Sequence, residues 1–243
     1  MPKEVLEHGN ITTFQDAKQH NYIIRVLDED DIEEVLNLQN YVLGKMEQRS
    51  ACVPLTREEH LSIIGGRGEA IGLFIEKKLL ATCAMLFPGS HEMNMAQELN
   101  FNGQELQLVA QLELALVHPE LRGHKLQQKL AGMLDWRAEK VWQCRYLFTT
   151  VSPYNYPSIQ TVTAMGMRIA KLCKMYYDWD RYVVYKDFAQ PVKLDSNHII
   201  HVPNRLVDKQ QSLLNNGYLG FSQFKSGKDV IISFAKKISD QEK

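Results

Sequence analysis

The sequence predicts an α/β fold: a mixed, mostly antiparallel sheet flanked by helices, with a small C-terminal α+β extension. Three observations carry this expectation. Short apolar runs bounded by Gly, Pro or Lys recur along the chain, as strands do; stretches with apolar residues at helical spacing lie between them; and the connections include both tight turns and helical crossovers, so strands of both orientations are needed. With 243 residues, 44% of them hydrophobic, the chain can bury one sizeable core. A formal net charge of -1 with well-mixed charges argues against nucleic acid or a membrane surface as the main partner. No apolar run reaches the ~18 residues of a membrane span, and the polar N-terminus has no leader pattern, so a cytoplasmic protein is expected. Cys52, Cys83, Cys144 and Cys173 stand far apart without a ligand spacing and read as free thiols in a reducing compartment.

Residues 1–20 show no clear period and read as an N-terminal arm; 21–189 form the main domain and 190–243 the extension packed on it. Tyr22 to Leu27 is a strand, followed by a helix with Asp28 or Asp30 as cap and Ile32, Val35 and Leu36 as its apolar side. Thr56 and Glu59 have capping-box spacing and open a second helix that Gly65-Gly66 ends. Ala70 to Glu76 and Leu79 to Phe87 flank Lys77-Lys78 as a hairpin, and Pro88-Gly89 stops it. The twenty or so residues after it have no strand or helix period, and a loop of that length reads as a lid facing an acceptor. Then come a strand at Val109 to Val117, a long helix from about His124 to Trp142, a strand at Tyr146 to Val151, a helix from Pro157 to Met165, and strands at Arg168 to Tyr177 and Arg181 to Asp187. Beyond Gln190-Pro191 the pattern gives a short strand at His198 to Pro203, a helix ending at Gly217, and two short strands around Gly220 to Phe224 and Val230 to Phe234. About 50 residues bury too little surface to fold alone, so this tail packs on the main sheet.

The most informative stretch is Leu112 to Leu130, LELALVHPELRGHKLQQKL, where a strand runs through a Gly-containing turn into an amphipathic helix. The first N–H groups of that helix lack partners within it, and with the helix dipole they attract an anion; Arg122 adds a planar, permanently charged fork beside them. The histidines His91, His118, His124, His198 and His201 show no metal-ligand pattern, and no metal is expected. Trp136, Trp142, Met85, Met93 and Met95 read as packing or pocket-lining residues. Cys83 and Cys144 have no neighbouring His that would mark a nucleophile.

The strand, Val117-x-Pro119, Arg122-Gly123 and the helix that follows resemble the acyl-CoA-binding signature of the GCN5-related N-acetyltransferase (GNAT) superfamily, [Q/R]-x-x-G-x-[G/A], and the element order resembles it over roughly Tyr22 to Phe188. The resemblance implies an acyl-CoA N-acyltransferase fold and an enzyme that carries acetyl from acetyl-CoA, its co-substrate, to an amine of a small molecule or peptide by direct transfer. It implies that Arg122, Gly123, His124, Lys125, Leu126, Gln127 and Gln128 cradle the CoA pyrophosphate, and that Leu116, Val117 and His118 pair with the pantetheine arm through their main chain. Asn155, with Ser158 beside it, matches the family's contact to the distal part of CoA.

Two departures stand out. The motif's glycine positions are Lys125 and Gln127 here, so Lys125 is expected to take ordinary helical angles. The tyrosine many relatives use to protonate the thiolate is Val162; Tyr154, Tyr156, Tyr176 and Tyr177 lie near it in sequence, and Tyr177 is taken as the acid. Glu113, on the same strand as Val117 and of the same parity, is the candidate base; its alternative is a half-exposed strand residue in an ion pair. The missing glycines and Val162 keep open a second reading, a CoA-binding protein without catalysis, and a third, a scaffold paired through the extension. A homodimer is left open.

Overall fold

The strands that read as continuous apolar runs, GEAIGLFI and KLLATCAML, are covered on both faces, and this decides how the first part of the chain is built. The computed structural model describes residues 3–13, 17–46 and 49–238. The chain divides into two compact units, Met1–Pro88 with Ala110–Val141, and Gly89–Val109 with Trp142–Lys243. These boundaries differ from the expected limits of arm, domain and extension.

In the first unit the strands β1 (Val5–Thr12), β2 (Gln19–Val26), β3 (Gly68–Ile75), β4 (Lys78–Leu86) and β5 (Val109–Val117) lie in that order, each antiparallel to the next. Helix α1 (Ile32–Gly44) buries Val35, Leu38 and Val42 in a cluster with Leu27, Ala70, Phe74, Ala84, Leu114 and Leu116. Helix α3 (Leu126–Lys140) lies against β3 and β4 and turns Leu126, Leu130, Leu134 and Arg137 inward. Neighbours on β3 show that the two helices take opposite faces: Ala70 meets the α1 cluster, while the buried carboxylate of Glu69 receives Arg137 of α3. Helix α2 (Arg57–Ser62) starts at the expected capping box, with Thr56 and Glu59 exchanging hydrogen bonds of 3.2 and 2.7 Å. It is tied to α1 where buried His60 meets Gln39 at 3.1 Å.

The N-terminal arm is corrected: Val5–Thr12 pairs along β2 as an edge strand. Its alternation escapes a sequence reading because an edge strand faces solvent on much of its surface. Gly9 makes the pairing possible, since a Cβ there would lie 2.5 Å from the Tyr22 ring. The Tyr22 hydroxyl donates to Glu7 at 2.5 Å, and Lys129 of α3 donates to both.

The second unit orders its strands β6 (Tyr146–Val151), β8 (Trp179–Asp187), β7 (Arg168–Met175), β10 (Tyr218–Ser226), β11 (Asp229–Lys236) and β9 (Ile200–Pro203), again with antiparallel neighbours. Helix α4 (Tyr156–Ala164) packs on β10, and α5 (Val207–Asn215) packs on β7 and β10. The extension therefore continues the sheet from β7; Gly220 meets Ile169 there because a Cβ would stand 2.9 Å from that isoleucine.

The expected lid is also corrected. Residues 89–109 carry two 3₁₀ turns, Met95–Leu99 and Gly103–Leu108; the first is anchored in a core cluster, while the second buries no residue. Met95 and Ala96 are buried with Tyr146, Phe148 and Val183, and Phe101 stands edge-on to Tyr146 with ring centroids 4.8 Å apart. Buried Asn94 caps the first turn and donates to the carbonyls of Gly89 and Leu106. Aperiodic sequence here means packing by side chains onto a sheet, with no period of its own to betray it.

Candidate active site

β5 supplies the first part. Its register against β4 steps two residues, Leu112 to Leu114, for one step from Met85 to Ala84, so Glu113 is the extra residue of a β-bulge. Simple alternation does not pass through a bulge, and the shared parity of Glu113 and Val117 loses its force. The Glu113 carboxyl accepts from the amide of Gln111, itself 1% exposed, at 2.9 Å. Burial pushes its pKa above the usual glutamate value, with the Gln111 hydrogen bond pulling down and the Glu59 carboxylate of α2 adding to the rise. A carboxylate held this way is a better proton acceptor than a solvated one. Gln111 was not singled out by sequence reasoning; two polar residues in a strand of apolar ones, two apart, were the available signal.

At the C-terminal end of β5 the His118 N–H donates to Leu80 O at 2.8 Å, so the ladder with β4 continues one residue past the strand. By alternation, Leu116 also turns its main chain toward β4, and Val117 presents its N–H and C=O to the other edge. Of the three residues expected to pair with a pantetheine arm, Val117 alone has the required direction. His118 is corrected further: its buried imidazole caps the turn Pro119–Leu121 through Glu120 N–H and stacks on Tyr41 at 4.6 Å. Burial, then the nearby cations Lys78 and Arg122, keep it below the ordinary histidine pKa against the pull of Glu120, so it is neutral at pH 7.

The loop that follows is exposed from Arg122 to Lys125. Gly123 has φ 83°, and Lys125 has φ 55° and ψ 26°, both left-handed. The expectation of ordinary helical angles at Lys125 is overturned, and α3 begins two residues later than His124 for that reason. A lysine thus occupies the backbone conformation for which glycine is favoured, and the loop keeps the shape of a glycine-rich one without its glycine. Helices α1 and α2 place Glu33, Glu34, Glu58 and Glu59 in their first turns; α3 has no acidic residue there and no side-chain cap. The positive end of its dipole, at a first turn without an acidic side chain, favours an anion.

In the second unit Asn155 is the N-cap of α4, its Oδ1 accepting from Ser158 N–H at 3.2 Å. Asn155 and Ser158 therefore stand together, and this helix start also lacks an acidic residue. Val162 is buried on the same helix. Tyr177 is 68% exposed at the tip of the β7–β8 hairpin with its ring against Trp179. The hydroxyl directed at β6 is that of Tyr176, 2.9 Å from Thr150 Oγ1. The Tyr182 hydroxyl, fully buried, is committed to Gln210 at 2.5 Å. Among the described residues, no three His, Cys, Asp or Glu side chains gather as a metal site, and no helix is long and apolar enough to cross a membrane.

Neither the protein-family models nor the curated proteins contain a match to this sequence. Solved structures do match in shape. The ribosomal-protein-S18-alanine N-acetyltransferase from Escherichia coli superposes with a TM-score of 0.52 at 16% identity, over 73% of this chain and 98% of that one. The chain has the GNAT fold. An acetyltransferase of the GNAT family from Streptococcus pneumoniae gives 0.51 at 14% identity, over 68% of this chain and 98% of that chain. The yncA protein from Salmonella typhimurium, assigned as an acetyltransferase and solved with its cofactor acetyl-CoA, gives 0.53 at 14% identity, over 72% and 99%. The GNAT fold, expected from the motif around Arg122-Gly123, thus holds at identities too low for the sequences themselves to align with confidence in function.

Proposed function

We propose that this chain is an N-acetyltransferase that moves acetyl from acetyl-CoA directly to the amine of a small molecule or peptide. The observation that carries the reading is the loop Arg122 to Gln128: two left-handed residues, Gly123 and Lys125, set the backbone at the start of a helix whose first turn carries no acidic residue. Such a loop holds a pyrophosphate by main-chain N–H groups, with Arg122 and Lys125 adding charge. The fold shared with acetyltransferases, one of them bound to acetyl-CoA, supports the same ligand. Arg122, Gly123, His124, Lys125, Leu126, Gln127 and Gln128 are assigned to the phosphates, Val117 to the pantetheine arm, and Asn155 with Ser158 to the distal part of CoA.

In the reaction an ammonium must lose its proton before its nitrogen can attack the thioester carbon. Glu113, its pKa raised by burial, takes that proton; the C–N bond forms, the C–S bond breaks, and CoA leaves as a thiolate that acquires a proton. A thiolate is stable enough near neutral pH to leave without a strong acid, so the valine at position 162 does not forbid transfer. We assign the assisting role to Tyr176, whose hydroxyl meets Thr150 Oγ1 of β6 at 2.9 Å, in place of Tyr177, which stands exposed at a hairpin tip. Val162 favours the second reading, a CoA-binding protein without transfer.

Calorimetric titration with CoA, followed by a thiol-release assay over a panel of amines and N-terminal peptides, separates the readings. CoA binding that Arg122→Ala weakens and thiol release that Glu113→Gln abolishes are the expected results. No CoA binding overturns the proposal, and binding without release on any acceptor leaves the second reading.

A further inference from the structure

The C-terminal extension reaches the turn that carries Asn155 through a continuous line of buried hydrogen bonds. Tyr182 of β8 donates to Gln210 Oε1 at 2.5 Å, and Gln210 of α5 donates through Nε2 to Asn204 O at 2.8 Å. Asn204 in turn donates through Nδ2 to Pro153 O at 2.9 Å, while its backbone N–H is held by Val230 O of β11 at 2.7 Å. Tyr182 and Gln210 are 0% exposed and Asn204 is 7% exposed, so none of these bonds competes with bulk water.

Pro153 stands two residues before Asn155. Its turn closes on itself where Asn155 N–H meets Ser152 O at 3.0 Å and Tyr154 N–H meets Ser152 Oγ at 3.3 Å. Those bonds all lie within the turn itself. Pro153 has no N–H of its own, so its buried carbonyl is the handle through which the rest of the fold can place it. Asn204 takes that handle.

We infer that Asn204 and Gln210 are positioning residues for acyl-CoA: the extension, by holding Pro153, sets Asn155 and the first turn of α4 for the ligand. The inference rests on the proposed acetyltransferase function. It gives the extension a task in the site. The alternative is that these bonds merely glue α5 to the sheet, as Thr163 and Gln223 join α4 to β10 at 2.7 Å near the other end of that helix.

The test uses the full-length protein, with acetyl-CoA titrated calorimetrically and varied in steady-state assays well below the melting temperature. Asn204→Leu removes the donor to Pro153 and should raise the Kd and KM for acetyl-CoA about tenfold, with the acceptor KM unchanged. Gln223→Leu cuts the Thr163 link and should lower the melting temperature without moving either constant for acetyl-CoA. If Asn204→Leu does not fold, Gln210→Glu, which keeps the acceptor for Tyr182 and loses the donor to Asn204, is read in the same way. Unchanged acetyl-CoA constants in these variants, or equal rises in them and in Gln223→Leu, overturn the inference. If the unaltered protein binds no CoA, the proposed function fails instead.

Discussion

Replacing Lys125 by glycine tests the loop at its most unusual point. A non-glycine residue in the left-handed region costs about 1–2 kcal/mol, so Lys125→Gly relieves roughly that much strain at φ 55°. Glycine gives back about 0.5–1 kcal/mol through the greater freedom of the unfolded chain. The balance is a stabilisation of about 0–1.5 kcal/mol, or a melting temperature higher by up to ~6 °C for a chain of this size. Binding should move the other way. An exposed ammonium beside a phosphate is worth at most about 1 kcal/mol, so CoA affinity should fall by up to ~5-fold at low salt and recover as salt screens the charge. Lys125→Met separates the two effects, since it removes the charge and keeps the strain. Differential scanning calorimetry and CoA titration at low and high salt read both quantities. A lower melting temperature for Lys125→Gly refutes the left-handed strain. A tenfold loss of CoA affinity shared by both variants at high salt refutes the main-chain N–H groups as the principal phosphate ligands.

Other expectations follow from the same geometry. Because burial raises the Glu113 pKa, kcat/KM should fall with pH at a higher value than an ordinary glutamate would give, and Glu113→Gln should remove that limb together with most turnover. The same shift makes ionised Glu113 destabilising. Glu113→Gln should therefore leave stability unchanged at acid pH, then increase it as pH rises from the ordinary glutamate pKa through the raised one, and level off above that; melting scans across pH that show a loss instead would contradict the burial. Arg137→Ala removes the guanidinium bound to the buried carboxylate of Glu69 and should cost about 3–5 kcal/mol in urea unfolding, whereas a loss under 1 kcal/mol would mean Glu69 is held by other groups or water. Phe101→Ala should cost about 2–3 kcal/mol and speed amide exchange across residues 89–109; unchanged exchange would show that the segment does not depend on its ring contacts.

The sequence by itself determined whatever is encoded within a few residues. The apolar runs of β3, β4 and β5, the capping box of Thr56 and Glu59, and the strand-to-helix junction at Arg122-Gly123 were all legible, because propensity, caps and turn chemistry act over short spans. Asn155 was singled out only through the resemblance of its segment to the family's, and that it caps α4 came from the structure. Tertiary structure decided whatever depends on a distant partner. Glu113 becomes the extra residue of a bulge only when β5 is laid in register against β4, and β1 becomes a strand only when Tyr22 passes over Gly9. The segment 89–109 is anchored by Met95, Ala96 and Phe101 against the rings of Tyr146 and Phe148, contacts that no local pattern announces. Lys125 takes its left-handed backbone because the turn after Pro119 and the buried Leu126 leave it no helical path into α3, an outcome that local preference alone would reject. Pairing register, burial and long-range hydrogen bonds are properties of the folded chain as a whole, so short spans of sequence cannot carry them.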